Sequence, residues 1–373
     1  MNRLFFLLLM LLVVLSPLPL GSNREWSWSL AALAAAGLGL LWLLVGLADP
    51  KAVNARLHPL VPVAFLLAVA WVVFQGLLVA PAAWHHPLWA MTAEVLGMPV
   101  PGTISVAPDS GWTALMRLLA YALVFLLALQ LGRRERWART AFGWVTLVGL
   151  AYAVFGLASY WSGYHAHWLF GDVTLPHDVR STFVNRNHFA TYAGMVLLCA
   201  LALFYDTLQR QHAPARRMPA GRVPRGARAT TAGDRLEQFA LLAWKPLLLI
   251  LLLTAALVLT ASRGGFFSTL AGGLVLLLAL NHRRRLRSAR SLAFIVLAAG
   301  MAAVAFWLTS EMLIERLDRG GLEDNLRFAA YGLISESSRD NPLLGFGYGT
   351  FADSFRLYRS DAITGYLDRA HNS

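Results

Sequence analysis

"STFVNRNHFATYAGMVLLCALALFYD", residues 181–206, decides how this chain is read. From Met195 to Phe204 it looks like the middle of a membrane helix. Just before that run stand Asn185, Arg186, Asn187 and His188, gathered where such a helix would begin. An apolar helix with a polar, basic mouth points to a membrane protein and leaves the purpose of that mouth to be explained.

Working outward, nine apolar runs emerge: 4–20, 27–47, 60–80, 112–131, 141–161, 188–206, 246–261, 266–280 and 291–309. Most approach the roughly 17–25 residues that cross a bilayer. The composition agrees. Of 373 residues 57% are hydrophobic and only 14% charged, where a soluble domain carries about a quarter charged. Mean hydropathy is +0.55. The expected fold class is an all-α polytopic membrane protein. The net charge of +12 does not point to nucleic acid. The basic residues sit in short blocks between apolar runs, and the stretch 211–235 has no interleaved aromatics, so membrane lipids are the expected partners. The single cysteine, Cys199, lies inside an apolar run and excludes an internal disulfide. The opening "MNRLFFLLLMLLVVLSPLPLGSN" resembles a signal peptide. It lacks a clean small-x-small cleavage site and another apolar run follows at once, so a retained first helix is expected.

Charge orients the runs. Segment 48–59 holds Lys51 and Arg56, 132–140 reads "GRRERWART", 207–245 holds seven arginines and Lys245, and 281–290 reads "NHRRRLRSAR". The alternate segments are far poorer in Lys and Arg. The positive-inside rule puts the basic set, with the N-terminus, in the cytoplasm. Facing outward are then 21–26, 81–111, 162–187, the turn near 262–265 and the tail after about 310. The expected division is 1–104, N-terminal helices and an outward loop; 105–309, the membrane core, with the basic cytoplasmic loop 207–245 inside it; and 310–373, an outward loop. Residues 211–235, rich in Pro, Gly, Ala and Arg, read as disordered. The tail reads as a loop with short helices.

Topology explains cytoplasmic arginines but not outward ones at helix mouths. Span six begins on the outer side, so its N-terminus presents unpaired N–H groups and a partial positive charge there. Asn185 or Asn187 suits the N-cap. Arg180 and Arg186 complete a candidate anion site, most naturally for phosphate. The alternative is a capped helix with interfacial arginines. In "TASRGGFFS", residues 260–268, Arg263 lies at the outward end of span seven, between Ser262 and two glycines that permit a tight reversal. A cation there also caps the negative end of a helix. The histidine pairs at 85–86 and 165–167 lack carboxylate or cysteine companions at a metal-ligand spacing, so no metal is expected. "GFGYG" at 345–349 has no strand–helix context and reads as turns rather than a dinucleotide loop.

Taken together, "STFVNRNHFATY", "TASRGGFFS", "NPLLGFGYGTF" (341–351) and "AHNS" (370–373), with "APDSGWTALMRLLAYALVFLLAL" (107–129) before them, resemble the O-antigen ligase and polymerase superfamily of the bacterial cytoplasmic membrane. The likeness spans about 105–373 and is strongest from 180. It lies in the order, spacing and sidedness of the motifs. The resemblance implies a GT-C-like bundle of about nine membrane helices plus a long outward loop. It also implies transfer of a glycan from undecaprenyl pyrophosphate to an acceptor hydroxyl, outside the membrane. By the same resemblance Arg263 and Arg180 would hold the pyrophosphate, and Arg186 of the candidate anion site stands beside them. His371, followed by Asn372, would activate the acceptor, making His371 and Arg263 the catalytic candidates. Asn185, Asn187, Ser262 and Arg327 are candidates for glycan or acceptor contact, or for capping. No cofactor is implied. Members usually continue into further helices past the loop histidine, so a chain stopping at Ser373 is expected to hold an incomplete loop.

Three reactions share this donor: ligation to lipid A–core, polymerisation on a growing lipid-linked glycan, and transfer to protein Ser or Thr. A flippase, the alternative of another class, predicts polar residues along a mid-membrane path. The span centres here are largely apolar.

Overall fold

A computed structural model of the chain describes residues 2–48, 57–162, 178–210, 232–282 and 321–359. The ninth run, the His165–His167 pair, most of the basic loop 207–245 and His371 lie outside them.

Among the described residues the regular structure is helical, with no strand. The α-helices are α1 (Asn2–Leu15), α2 (Glu25–Ala48), α3 (Leu60–Gly76), α4 (Pro87–Leu96), α5 (Pro108–Gly132), α6 (Glu135–Ser162), α7 (Arg186–Arg210), α8 (Ala232–Leu259), α9 (Arg263–His282), α10 (Gly321–Asp340) and α11 (Phe351–Tyr358). Helices α2, α5, α6 and α7 are long and apolar enough to cross a membrane, and α1, α3, α9 and the end of α8 are shorter apolar helices. Each of the first eight apolar runs is therefore helical. In hydrocarbon a backbone N–H or C=O finds no water, so a spanning run closes its bonds internally.

Two expectations need correction. Residues 232–235, read as disordered, begin α8, which runs unbroken through Pro246. Residues 81–111, read as a loop, contain α4. The signals for α4 were local: Pro87 stands at its first position, and Gly97 ends it in the left-handed conformation, φ 64°.

The described residues form two compact units, one made of those within 2–27 and 131–282, the other of those within 28–130 and 321–359. In the first, α6, α7 and α8 enclose the core: Tyr152, Ala153 and Leu157 meet Phe189, Ala193 and Val196, with Ile250, Leu253 and Ala256 behind them. Helix α7 is central. Of its apolar window 56% is buried, against 33% or less for the other three long helices. Helices α6 and α7 run antiparallel: Gly149 lies against Val196, and Gly156 against Val179 and Ser181, before α7 begins. Arg139 near the start of α6 pairs with Asp206 near the end of α7. Helix α1 runs parallel to α6, with Phe6 on Trp137 at 4.4 Å and the Tyr152 hydroxyl donating to the Val14 carbonyl at 3.0 Å.

In the second unit, Gln75 at the end of α3 anchors the 341–351 loop. Its amide donates to the Leu344 carbonyl and accepts from the Tyr348 N–H, both at 3.2 Å. Gly345, Gly347 and Gly349 take φ of 65°, 99° and 78°. This left-handed series makes "GFGYG" a succession of turns. His85 bonds the Ala80 carbonyl at 2.9 Å and His86 caps α4.

Candidate functional site: two helix mouths

The first unit brings two helix N-termini to one end. Helices α7 and α9 are parallel, because their contacts advance together: Ala190 against Gly265, Gly194 against Thr269, Leu198 against Gly272. Small residues allow this approach. A Cβ on Gly265 would overlap that of Ala190, in the first turn of α9 and just past the first turn of α7.

Each start is capped by a side chain. Asn185 Oδ1 accepts from the Asn187 N–H at 2.8 Å, so Asn185 is the cap of α7, Arg186 its first residue and Asn187 its second. Ser262 Oγ accepts from the Gly265 N–H at 3.1 Å, so Ser262 caps α9 and Arg263 is its first residue. Arginine thus opens both helices. Here Arg263 sits at the positive end of α9, where a cation is disfavoured rather than stabilised. That weakens the C-terminal capping explanation.

The irregular stretch leading to α7 is tied to three neighbours. The Val179 N–H donates to the Leu259 carbonyl at the end of α8, at 3.1 Å. Ser181 Oγ donates to the Tyr152 carbonyl of α6, and Thr182 Oγ1 to the Pro17 carbonyl after α1, each at 2.7 Å. Ser181 has φ 53°, a left-handed conformation rare outside glycine and held here by these bonds.

At the start of this stretch is a residue with no signal in the apolar pattern. The Asp178 side chain is 1% exposed and pairs with both Arg180 and Arg186. Oδ1 accepts from Arg180 Nε, while Oδ2 accepts from Arg180 Nη2 and Arg186 Nη1, both at 3.2 Å. Arg180 Nη1 also donates to the Val184 carbonyl at 2.9 Å. Asp178 is the sole acid between 173 and 205, two residues ahead of Arg180, and that isolation was the available signal.

Of the expected site residues, Arg180, Asn185, Arg186, Asn187, Ser262 and Arg263 therefore gather around these two mouths. Arg327 lies on α10 in the other unit, and His371 is outside the described residues. Among the described residues no three His, Cys, Asp or Glu come together as a metal site.

Fold and helix composition define the class, a multi-pass helical membrane protein. Residues 248–373 are similar to the O-antigen ligase family: the family model Wzy_C, described as O-Antigen ligase, matches there. The matched segment includes the end of α8, the Ser262 cap, Arg263 and the 341–351 loop, and begins after "STFVNRNHFATY". No curated protein and no solved structure matches the chain.

Proposed function

We propose that this protein transfers a glycan from undecaprenyl pyrophosphate to an acceptor hydroxyl on the outer side of the bacterial cytoplasmic membrane, as an O-antigen ligase does. The observation that carries the proposal is the pairing of two parallel helix N-termini, each opened by an arginine. Such ends offer unpaired N–H groups and aligned dipoles to a phosphate, and guanidinium forks match its oxygens. Two mouths side by side suit two linked phosphates better than one. The similarity of residues 248–373 to the O-antigen ligase family supports the same reading.

In this account the acceptor oxygen attacks the anomeric carbon of the first sugar. The bond from that carbon to the pyrophosphate oxygen breaks, and the electron pair leaves with undecaprenyl pyrophosphate. Arg186 and Arg263 stabilise the charge that develops, and Arg180 backs Arg186. Fixed cations act more strongly at a dry membrane boundary than in water. His371 takes the proton of the acceptor hydroxyl, a role suited to an imidazole that is neutral near pH 7. The outward orientation rests on the distribution of Lys and Arg.

Deleting the gene in its native host tests the reading. Lipopolysaccharide and undecaprenyl-linked glycan are separated side by side on gels. Long glycan stranded on undecaprenyl beside bare lipid A–core is the expected result. Core bearing a single repeat would make the enzyme a polymerase. Donor trapped on the cytoplasmic face would make it a flippase. Two unchanged pools would remove the lipopolysaccharide assignment.

A further inference from the structure

We propose that Asp178 is the positioning residue of this site, and that by fixing Arg186 it sets a preference for pyrophosphate over a single phosphate. The proposal rests on the donor-site reading above.

An anion site that contains a buried anion needs a reason. A carboxylate 1% exposed is costly to bury unless it is paired and hydrogen-bonded. Asp178 meets that condition through two guanidiniums, and in doing so gives them different roles. Arg180 spends Nε and Nη2 on the carboxylate and Nη1 on Val184, and is 16% exposed. Arg186 makes one described bond to the same carboxylate and is 27% exposed. Arg180 is therefore the buttress, and Arg186 keeps most of its donors for a ligand. Both begin from a stretch already tied to α6, α8 and the turn after α1 by Ser181, Val179 and Thr182.

Two consequences follow. A free arginine at a helix mouth would swing to meet any phosphate. One held by Asp178 keeps its place relative to the N–H groups of α7, so a ligand that reaches both at once, as two linked phosphates do, is favoured over a single phosphate. Asp178 also offsets one of the three arginines. It lowers the charge that Arg180 and Arg186 together bring to the mouth of α7 from two to one.

The test uses the full chain in detergent micelles and two probes, farnesyl pyrophosphate and farnesyl monophosphate, with binding measured by calorimetry. The parent is expected to prefer the pyrophosphate by about ten-fold or more, since specificity is the difference of two affinities. In Asp178→Asn that preference falls to within about three-fold, chiefly because the monophosphate binds more tightly to two unrestrained cations. A substitution that only loosened the fold would reduce the amount of binding-competent protein without changing the ratio. Asp178→Asn leaves a buried guanidinium without its partner, so a second variant, Asp178→Asn with Arg180→Gln, removes the buried pair together. It keeps the net charge and should lose the preference equally, because Arg186 is no longer held. A folded double variant with the parent's preference overturns the role of Asp178, and so does a parent that shows no preference. Arg263→Ala is the separate control: if it leaves farnesyl pyrophosphate affinity unchanged, the donor-site reading falls and takes this proposal with it.

Discussion

Asn185 and Ser262 do the same work on neighbouring helices. Each turns a side-chain oxygen onto an N–H of the first turn that would otherwise have no partner. Residue type and position made both legible in the sequence, because a short polar side chain ahead of an apolar run is a local signal. Asp178 was not legible in the same way. Its meaning depends on burial, and burial is set by α6, α8 and the stretch after α1. His86 falls between these cases. Its Nδ1 accepts from the Leu88 N–H at 3.2 Å, so the ring proton sits on Nε2, and the Asn341 amide lies 3.3 Å from that nitrogen. The bond is satisfied when Asn341 turns its amide oxygen toward Nε2. Burial lowers the His86 pKa from 6.5. A protonated ring loses the Nδ1 acceptor and places a charge at the positive end of α4. The folded pKa is the lower one, so the unfolded chain binds more protons as acid is added. The His86 contribution is complete above about pH 6.5 and lost as pH falls through the folded value. His86→Asn, which caps without titrating, should flatten this acid-side loss in thermal unfolding midpoints measured from pH 5 to 8. Parallel pH profiles for parent and variant would refute the assignment.

At the scale of elements, the apolar runs were readable because the bilayer imposes them. A span must be long, apolar and helical, whatever packs beside it. Helix α4 was missed because it is short and obeys no such length rule, although Pro87 and Gly97 marked its ends. The parallel pairing of α7 and α9 was hidden for another reason. It arises from which small residues meet, Gly265 with Ala190 and Gly194 with Thr269, and no single helix encodes that. The pairing makes a sharp prediction. Gly265→Ala adds a methyl where Ala190 already lies, forcing the two mouths apart at a cost of about 1–3 kcal/mol. Gly273→Ala, two turns further on, meets only Leu198 at 3.9 Å. It should be neutral or stabilising by up to about 1 kcal/mol, since alanine suits a helix interior better than glycine. Thermal midpoints of the two variants, with glycan transfer in membranes, separate them. Equal behaviour would mean that the α7–α9 approach carries no functional weight.

For the whole molecule, the relative helix directions fit a chain that crosses and recrosses a membrane. Helix α1 runs with α6, α6 against α7, and α7 with α9, as successive crossings require. The grouping into two units was not legible. It depends on long-range contacts such as Gln75 with the 341–351 loop and Ser110 with Asp353, 243 positions apart in sequence. The central claim also belongs to this scale: residues 186 and 263, far apart in the chain, hold one ligand. Two groups on one ligand couple, so their losses are not additive. The most direct measurement returns Arg186→Ala, Arg263→Ala and the double variant to the deletion strain at equal protein levels, and quantifies undecaprenyl-linked glycan against finished product. The account predicts that each single variant strands glycan on undecaprenyl and that the double variant is little worse than the more severe single one. Full restoration of product by either single variant, or losses that simply multiply, would contradict it.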